Sequence, residues 1–282
     1  MIKNVFSQIL DRKRQAVAQL RADPSLRDFR ERALEIRKSA HPHRLRRALG
    51  SDSQRPKIVA EFKRRSPSAG IIRDDLTVSQ IVNCYDRGGA GAISVLTDQE
   101  YFGGSIADLC TARSSTNLPL LRKDFIIDPI QILEAAIAGA DAVLLIATAL
   151  DDLSLGELRA LAEDELGLDA LIEVHTSGEL RRALNAGASL IGVNNRDLRT
   201  FQISLNTSER LIAEAPRDKI MISESGLQSA ESLRHLRELG FRGFLVGEAL
   251  MRAPDPAAAL RNLIAAAEDR QPTGISTRAC QP

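Results

Sequence analysis

Several residue types are scarce or absent, and each absence narrows the possible functions. The chain has no Trp, and aromatic residues make up only 4% of its 282 residues. Its three cysteines, Cys84, Cys110 and Cys280, are too far apart to indicate a disulfide framework or a metal-binding motif. No stretch approaches the roughly 20 consecutive apolar residues of a membrane span. We therefore expect a cytoplasmic protein with no membrane partner.

Neither sign of charge is in excess. Lys and Arg total 38 residues, while Asp and Glu total 37. Without a basic field there is no reason to expect nucleic acid as a partner, and without a GxxxxGK[ST] loop we expect no nucleotide hydrolysis. The remaining composition, 44% hydrophobic, suits one large globular domain or two small ones.

The chain repeats a unit in which a helical pattern ends at a glycine and a short apolar run follows. Glycine favours the left-handed position at a helix C-terminus, and continuous apolar runs are typical of parallel strands covered on both faces. The pattern predicts eight strands, at 58–63, 92–97, 119–123, 142–148, 169–174, 190–194, 219–223 and 243–247. Eight such β/α units predict a (β/α)8 TIM barrel, with a doubly wound open sheet as the alternative.

Residues 1–55 precede these units and predict an N-terminal helical extension. Helices are expected at 2–20 and 24–37, followed by a connector from 39 to 55. The first helix is amphipathic and basic, like a transit peptide, but Asp11 favours an ordinary packed helix. We expect a single domain over 1–270, including the extension, and a disordered tail over 271–282.

Polar side chains collect where the predicted strands end. In "IVAEFKRRSPSAG" (58–70), Glu61 and Lys63 share one face of the first strand because side chains alternate along it. Further polar residues end other strands: Lys123, Asp124, Glu173, Asn194, Asn195, Arg196, Glu224, Ser225, Gly247 and Glu248. The carboxyl ends of barrel strands form one rim, where active sites are built, so a shared pocket explains this pattern best.

Each of these residues also has a purely structural interpretation. Glu61 and Lys63 can form an ion pair within the strand, and Lys123 can be an ordinary surface lysine. Asn194 and Asn195 can simply shape a turn, since Asn tolerates unusual backbone angles. His175 faces away from Glu173 if the strand continues past it.

Two glycine-containing loops indicate a phosphate site. Ser225-Gly226 and Gly247-Glu248 follow strands seven and eight, whose loops commonly bind phosphate in this fold. Only the backbone amide of Glu248 is assigned, because its carboxylate would repel an anion. Arg196 and Lys63 supply positive charge. We therefore expect a small phosphorylated metabolite as substrate.

At these residues the chain resembles the indole-3-glycerol phosphate synthase family. The resemblance runs from about residue 3 to 268 and rests on seven motifs in order: "IVAEFKRRSPSAG", "SVLTDQEYFGGS", "PLLRKDFIID", "LIEVHT", "IGVNNRDLRTF", "SESGL" and "FLVGEALMRAPDP". It implies closure of an indole ring on 1-(2-carboxyphenylamino)-1-deoxyribulose 5-phosphate, with loss of carbon dioxide and water. It implies no metal and no organic cofactor.

The resemblance also implies roles for individual residues. Lys123 matches the general acid and Glu173 a second acid or base. Lys63 lies near the charges of the substrate, and Glu61 orients the lysines. Asn194 and Ser225 complete the expected catalytic set by hydrogen bonding to substrate. Expected substrate and phosphate contacts are Ser66, Phe102, Phe125, Arg196, Glu224, Gly226, Gly247 and Glu248.

Two other functions are compatible with a barrel of this kind. One is another phosphosugar enzyme, such as phosphoribosylanthranilate isomerase, but its cysteine and aspartate pair has no good match, since Cys84 and Cys110 fall in helical patterns. The other is a non-catalytic barrel that binds a phosphorylated ligand. The sequence leaves the oligomeric state open, with a monomer favoured.

Overall fold

The computed structural model describes residues 5–51, 55–198 and 200–268. The extension contains α1 (Val5–Ala22), a 3-10 turn (Pro24–Leu26), α2 (Phe29–Lys38) and α3 (Arg44–Gly50). The barrel strands are β1 (Lys57–Phe62), β4 (Ala92–Leu96), β5 (Leu120–Lys123), β6 (Ala142–Ile146), β7 (Asp169–Val174), β8 (Leu190–Asn194), β9 (Ile220–Glu224) and β10 (Gly243–Val246). A small hairpin, β2 (Arg65–Ser66) and β3 (Gly70–Ile71), follows β1.

Helices cover the outside of the barrel between successive strands. They are α4 (Val78–Gly88), α5 (Gln99–Phe102), α6 (Ile106–Ser115), α7 (Pro129–Ile137), α8 (Asp152–Ala160), α9 (Ser177–Asn185), α10 (Asn206–Glu214), α11 (Ala230–Leu239), α12 (Glu248–Arg252) and α13 (Pro256–Ala267). A π-helical turn (Leu161–Glu165) extends α8. Among the described residues, no helix is both long and apolar enough to cross a membrane.

The eight strands close into a parallel barrel, in which β1 pairs with both β4 and β10. This closure confirms the predicted (β/α)8 TIM barrel and excludes the open doubly wound sheet. Two apolar layers hold the barrel together: one fills the space between strands and helices, and the other fills the barrel interior. The predicted tail, 271–282, lies outside the described residues.

The extension packs against both ends of the barrel. At the C-terminal ends of the strands, Phe6 and Ile9 of α1 join the interior layer. At the opposite end, Leu45 and Leu49 of α3 join the same layer and are fully buried. The prediction of a plain connector over 39–55 was therefore wrong, because Leu45 and Leu49 lie four residues apart on one helical face and plug the barrel floor.

A buried ion-pair cluster holds α1 in place. The Nζ of Lys13 lies 2.7 Å from Asp124 Oδ1 and 2.9 Å from Asp98 Oδ2. Arg122 reaches the other oxygen of Asp124 at 3.1 Å. Burial alone would raise the pKa of Asp124, but Lys13 and Arg122 lower it to about 2. Because Asp124 directly follows Lys123, this cluster ties α1 to the strand that carries a predicted catalytic residue.

We expect Lys13→Met to lower the free energy of unfolding by about 3–5 kcal/mol, since it leaves the buried Asp124 with less compensation. The lowered pKa of Asp124 contributes stability above pH 4 that is lost as pH falls from about 4 through about 2, so the variant should lose less stability than wild type across that range. Denaturant unfolding at several pH values measures both effects. Lys38→Met, which breaks an exposed pair with Glu35, is the matched control and should change little.

Candidate active site

One pocket opens at the C-terminal ends of the strands, and every residue predicted for the site borders it. The barrel geometry explains this convergence, because each strand delivers its last inward-facing side chain to the same rim. The structure thus brings together the polar side chains Glu61, Lys63, Ser66, Lys123, Glu173, Asn194, Arg196, Glu224, Ser225 and Glu248, with Phe102, Phe125, Gly226 and Gly247.

Lys123 lies at the centre of the pocket, between two carboxylates. Its Nζ donates to Glu173 Oε2 at 3.3 Å and makes a shorter hydrogen bond to Glu224 Oε2. Burial alone would lower the pKa of Lys123, but the carboxylates of Glu224, Glu173 and Glu61 outweigh burial and raise it. The ammonium is therefore protonated throughout the neutral range.

A second lysine and carboxylate lie on β1 and just after it. Lys63 Nζ donates to Glu61 Oε1 at 2.7 Å, so the ion pair considered from the sequence does form. It forms inside the pocket, where the exposed fractions of the Lys63 and Glu61 side chains are only 16% and 5%. A Cβ on Gly247 would lie 2.6 Å from Glu61 Oε1. Gly247 therefore leaves the space that the Glu61 carboxylate occupies.

Glu224 belongs to the charged cluster, whereas the sequence placed it among the substrate and phosphate contacts. Its side chain ends β9 facing inward and is 1% exposed. Burial, together with Glu173 and Glu61, raises its pKa to about 7 despite the opposing effect of Lys123. Its Oε1 has no hydrogen-bond partner in the described structure. Glu224 is therefore the carboxyl of this cluster that burial and its charged neighbours most favour in the protonated form.

The position of the Glu224 carboxylate depends on a glycine in the neighbouring strand. A Cβ on Gly192 of β8 would lie 2.0 Å from Glu224 Oε1, which no real contact allows. Sequence reasoning missed this residue. The signal was present, since a glycine inside a strand often marks a close approach by another group.

Two adjacent asparagines after β8 have different roles. Burial alone would raise the pKa of Glu173, but Lys123 and His175, with a smaller contribution from the Asn194 side chain, lower it. Asn195 is buried and donates to Glu224 O at 3.0 Å and Ser225 O at 3.2 Å. These bonds hold Ser225 at a φ of 65°, which is unusual for a residue other than glycine. The turn-shaping interpretation thus describes Asn195, while Asn194 faces the pocket.

The rim near β1, β9 and β10 is rich in hydrogen-bond donors. Arg196 Nη1 lies 3.3 Å from the Ser68 hydroxyl, which links the loop after β8 to the β2–β3 hairpin. Gly226 has a φ of 78°, and Gly247 precedes α12 as its N-cap. The Glu248 carboxylate pairs with Arg252 at 3.0 Å. That pair engages the carboxylate on the α12 surface, which leaves the backbone amide of Glu248 as the group available to a ligand.

The opposite wall of the pocket is apolar. The rings of Phe102 and Phe125 lie 6.1 Å apart, and Phe6 of α1 lies 6.2 Å from Phe125. Val5 and Ile9 of α1 also border the pocket. The sequence showed these α1 residues at helical spacing, but that spacing alone predicts only a packed face. The extension therefore contributes directly to the wall.

A closed parallel barrel with paired lysines and carboxylates, donors and an apolar wall at its mouth defines an acid–base enzyme of the (β/α)8 class. A family model described as indole-3-glycerol phosphate synthase matches residues 6–263. The chain belongs to the indole-3-glycerol phosphate synthase family, whose members are carboxy-lyases of tryptophan biosynthesis.

Relatives with this name cover almost the whole chain. The indole-3-glycerol phosphate synthase of Bacteroides thetaiotaomicron is 43% identical over 265 residues, spanning 94% of this chain and 99% of the relative. That of Carboxydothermus hydrogenoformans is 44% identical over 266 residues, spanning 92% and 99%.

Solved structures with low sequence identity share the fold. Thiamine phosphate pyrophosphorylase from Pyrococcus furiosus has a TM-score of 0.58 at 18% identity, covering 79% of this chain and 98% of that one. The 3-hexulose-6-phosphate synthase from Salmonella typhimurium has a TM-score of 0.59 at 16% identity, covering 75% and 98%. These similarities indicate the barrel alone.

We expect Gly192→Ala to lower turnover by roughly 10²-fold or more, on the scale of a displaced acid–base group, because the new methyl forces the Glu224 carboxylate away from Lys123. Steady-state kinetics measure the loss. Gly156→Ala is the matched control, since a Cβ there meets no atom within 4 Å, and it should keep full activity. Wild-type kinetics in a folded Gly192→Ala variant would contradict the steric role.

Proposed function

We propose that this pocket closes the indole ring of 1-(2-carboxyphenylamino)-1-deoxyribulose 5-phosphate. The observation that carries the proposal is Lys123, a protonated amine held between Glu173 and Glu224 at the barrel mouth. In the reaction, the ring carbon that bears the carboxylate attacks the ribulose carbonyl. Carbon dioxide then leaves, followed by water, to give indole-3-glycerol phosphate.

The proton balance of this reaction defines what the side chains must supply. One proton goes to the carbonyl oxygen during attack, and a second goes to that oxygen when it leaves as water. One proton is returned when the adjacent carbon loses hydrogen to form the indole double bond. Each turnover therefore consumes one proton, and the site needs an acid at two separate steps.

Lys123 is the acid for the first step in this proposal. Negative charge develops on the carbonyl oxygen as the aromatic carbon attacks, and a positioned cation stabilises that charge. Its raised pKa ensures that the proton is present at neutral pH. Glu224 and Glu173 hold the ammonium in place, and substrate oxygens compete for its remaining N–H groups.

Glu173 is the acid and base for the dehydration, with Asn194 hydrogen bonded to its carboxylate. Lys63 meets the anthranilate carboxylate before it leaves as carbon dioxide, and Glu61 orients Lys63 across 2.7 Å. Ser225 donates a hydrogen bond to a ribulose hydroxyl. Each role uses a side chain that already borders the pocket.

The two ends of the substrate match the two sides of the pocket. The anthranilate ring lies against Phe102 and Phe125, with Phe6 completing this wall. The phosphate lies near Ser66 and Arg196, and near the backbone amides around Gly226, Gly247 and Glu248. Hydrogen-bond donors and exposed backbone suit a phosphate, while an apolar wall suits an aromatic ring.

We also propose that residues 1–270 act as one domain, because α1 supplies part of the pocket wall. A monomer is sufficient for activity, since the proposed groups come from a single chain. We place the protein in the cytoplasm, because a phosphorylated intermediate does not cross membranes freely and must be used where it is made. The isomerase alternative finds no support among the described residues, because Cys84 and Cys110 lie on the outer helices α4 and α6.

Lys123→Met keeps the apolar stem and removes the acidic proton. We expect the single-turnover rate to fall by about 10²–10⁴-fold, while a reduced, non-cyclisable substrate analogue still binds. Indole fluorescence follows the reaction, and calorimetry gives the dissociation constant of the analogue. Lys57→Met, at the opposite end of β1, is the matched control. A fall of only about threefold, far smaller than the expected loss, would mean that another group is the acid.

Arg196→Gln removes a cation from the proposed phosphate side. We expect KM to rise about tenfold with little change in kcat, because this contact binds substrate and transition state alike. Inorganic phosphate should compete with substrate in wild type and compete less well in the variant. Arg181→Gln, an exposed change on α9, should leave both values unchanged. An unaltered phosphate inhibition constant in Arg196→Gln would place the phosphate elsewhere.

A further inference from the structure

His175 is a buried histidine to which the proposed reaction assigns no role. It directly follows β7, and its side chain is only 13% exposed. The sequence placed it on the far side of the strand from Glu173, on the condition that the strand continues. That expectation was wrong, because side chains two positions apart along an extended chain share a face, and the ring lies on the same side as the Glu173 carboxylate.

The imidazole lies between two carboxylates. Its Nε2 is 3.6 Å from Glu173 Oε1, and its Nδ1 is 3.4 Å from Glu179 Oε2. Neither ring nitrogen has a closer hydrogen-bond partner among the described residues. The backbone N–H of His175 donates to Glu179 Oε2 at 2.7 Å, which fixes the outer carboxylate. The ring is therefore positioned to exchange a proton with Glu173.

The charged groups around the ring favour its cationic form. Glu179, Glu173 and Glu224 all act on the ring, and Arg210 donates to its backbone carbonyl at 3.5 Å. Burial alone would lower the pKa of His175, but Glu179 and Glu173 outweigh burial and raise it. The ring therefore holds its proton to a higher pH than a free imidazole does, and releases it as pH rises through its pKa.

Glu173 favours its ionised form, so it needs a proton donor before it can act as an acid. Its pKa is lowered by Lys123 and His175 against the effect of burial, so it is ionised before reaction. An ionised carboxylate cannot act as the acid for dehydration until it receives a proton. Of the two cations that lower its pKa, Lys123 has already given its proton to the carbonyl oxygen.

We propose that His175 stores the proton consumed in each turnover and delivers it to Glu173 for the dehydration step. The Nε2–H bond breaks and leaves its electron pair on nitrogen, while an O–H bond forms on Glu173. The imidazolium becomes neutral, and the carboxylic acid then protonates the departing hydroxyl as its carbon–oxygen bond breaks. Water carries away that proton. The proton that the adjacent carbon then loses passes to Glu173 and on to Lys123, and solvent recharges His175 between turnovers. The proposal rests on the proposed ring closure and on the role of Glu173 in it.

His175→Asn tests this proposal because it keeps a polar side chain and removes the titrating ring. We expect kcat to fall about tenfold or more, which is less than the roughly 10²–10⁴-fold loss of a direct acid. KM should stay within about twofold of wild type. Wild-type kcat should fall as pH rises through the pKa of His175, and the variant should lose this fall. Added imidazole should restore turnover of the variant.

Controls separate this proposal from a structural role and from the proposed function itself. His235→Asn, a surface change beside Glu209, should match wild type, and circular dichroism should show that both variants are folded. Wild-type turnover and a large loss in Glu173→Gln test the reaction and the role of Glu173 independently of His175. The proposal is overturned if His175→Asn keeps the wild-type kcat and pH profile, or if its loss appears in KM and resists imidazole.

Discussion

The structure of the pocket depends on the contact between Lys123 and the carboxylates that surround it. Three buried carboxylates, Glu61, Glu173 and Glu224, face two ammonium groups. Burial, together with this excess of negative charge, explains why one carboxyl, that of Glu224, has its pKa raised to about 7. Two of these carboxylates fit inside the barrel mouth because a glycine lies opposite each. Gly192 leaves space for Glu224, and Gly247 leaves space for Glu61. A substrate with two anionic ends would change this balance, because added negative charge favours the protonated forms on which the chemistry depends.

Most of the barrel could be predicted from the sequence because local signals and global topology agree. Each strand is a short apolar run, and glycines end several of the preceding helices in the left-handed conformation, as Gly89 does after α4. Strand ends differ from the predictions by a residue or two, as for β9, which is shifted by one residue to Ile220–Glu224. The site was predictable for the same reason, since polar residues after buried strands in a parallel barrel can only meet at one rim.

The remaining features depend on contacts between distant parts of the chain, which local patterns do not encode. The α3 helix is short, and its seven residues form a helix because Leu45 and Leu49 fill the barrel floor. The environment of Lys13 is set by Asp98 and Asp124, each more than eighty positions away. The orientation of Glu224 was not predictable either, because one residue of register decides whether a strand-end side chain faces the barrel or the outer helices.

The capping of both barrel ends by the extension has a consequence for the order of folding. Residues 5–51 are synthesised before the barrel strands, yet their partners lie in those later segments: α3 packs near Gly243 of the last strand, and Lys13 pairs with residues of the β4 and β5 loops. The floor that Leu49 covers exists only after β10 pairs with β1. The extension therefore docks fully only when the last strand closes the barrel. Long sequence separations of this kind raise the contact order and slow folding, and until closure they leave an amphipathic segment exposed to aggregation.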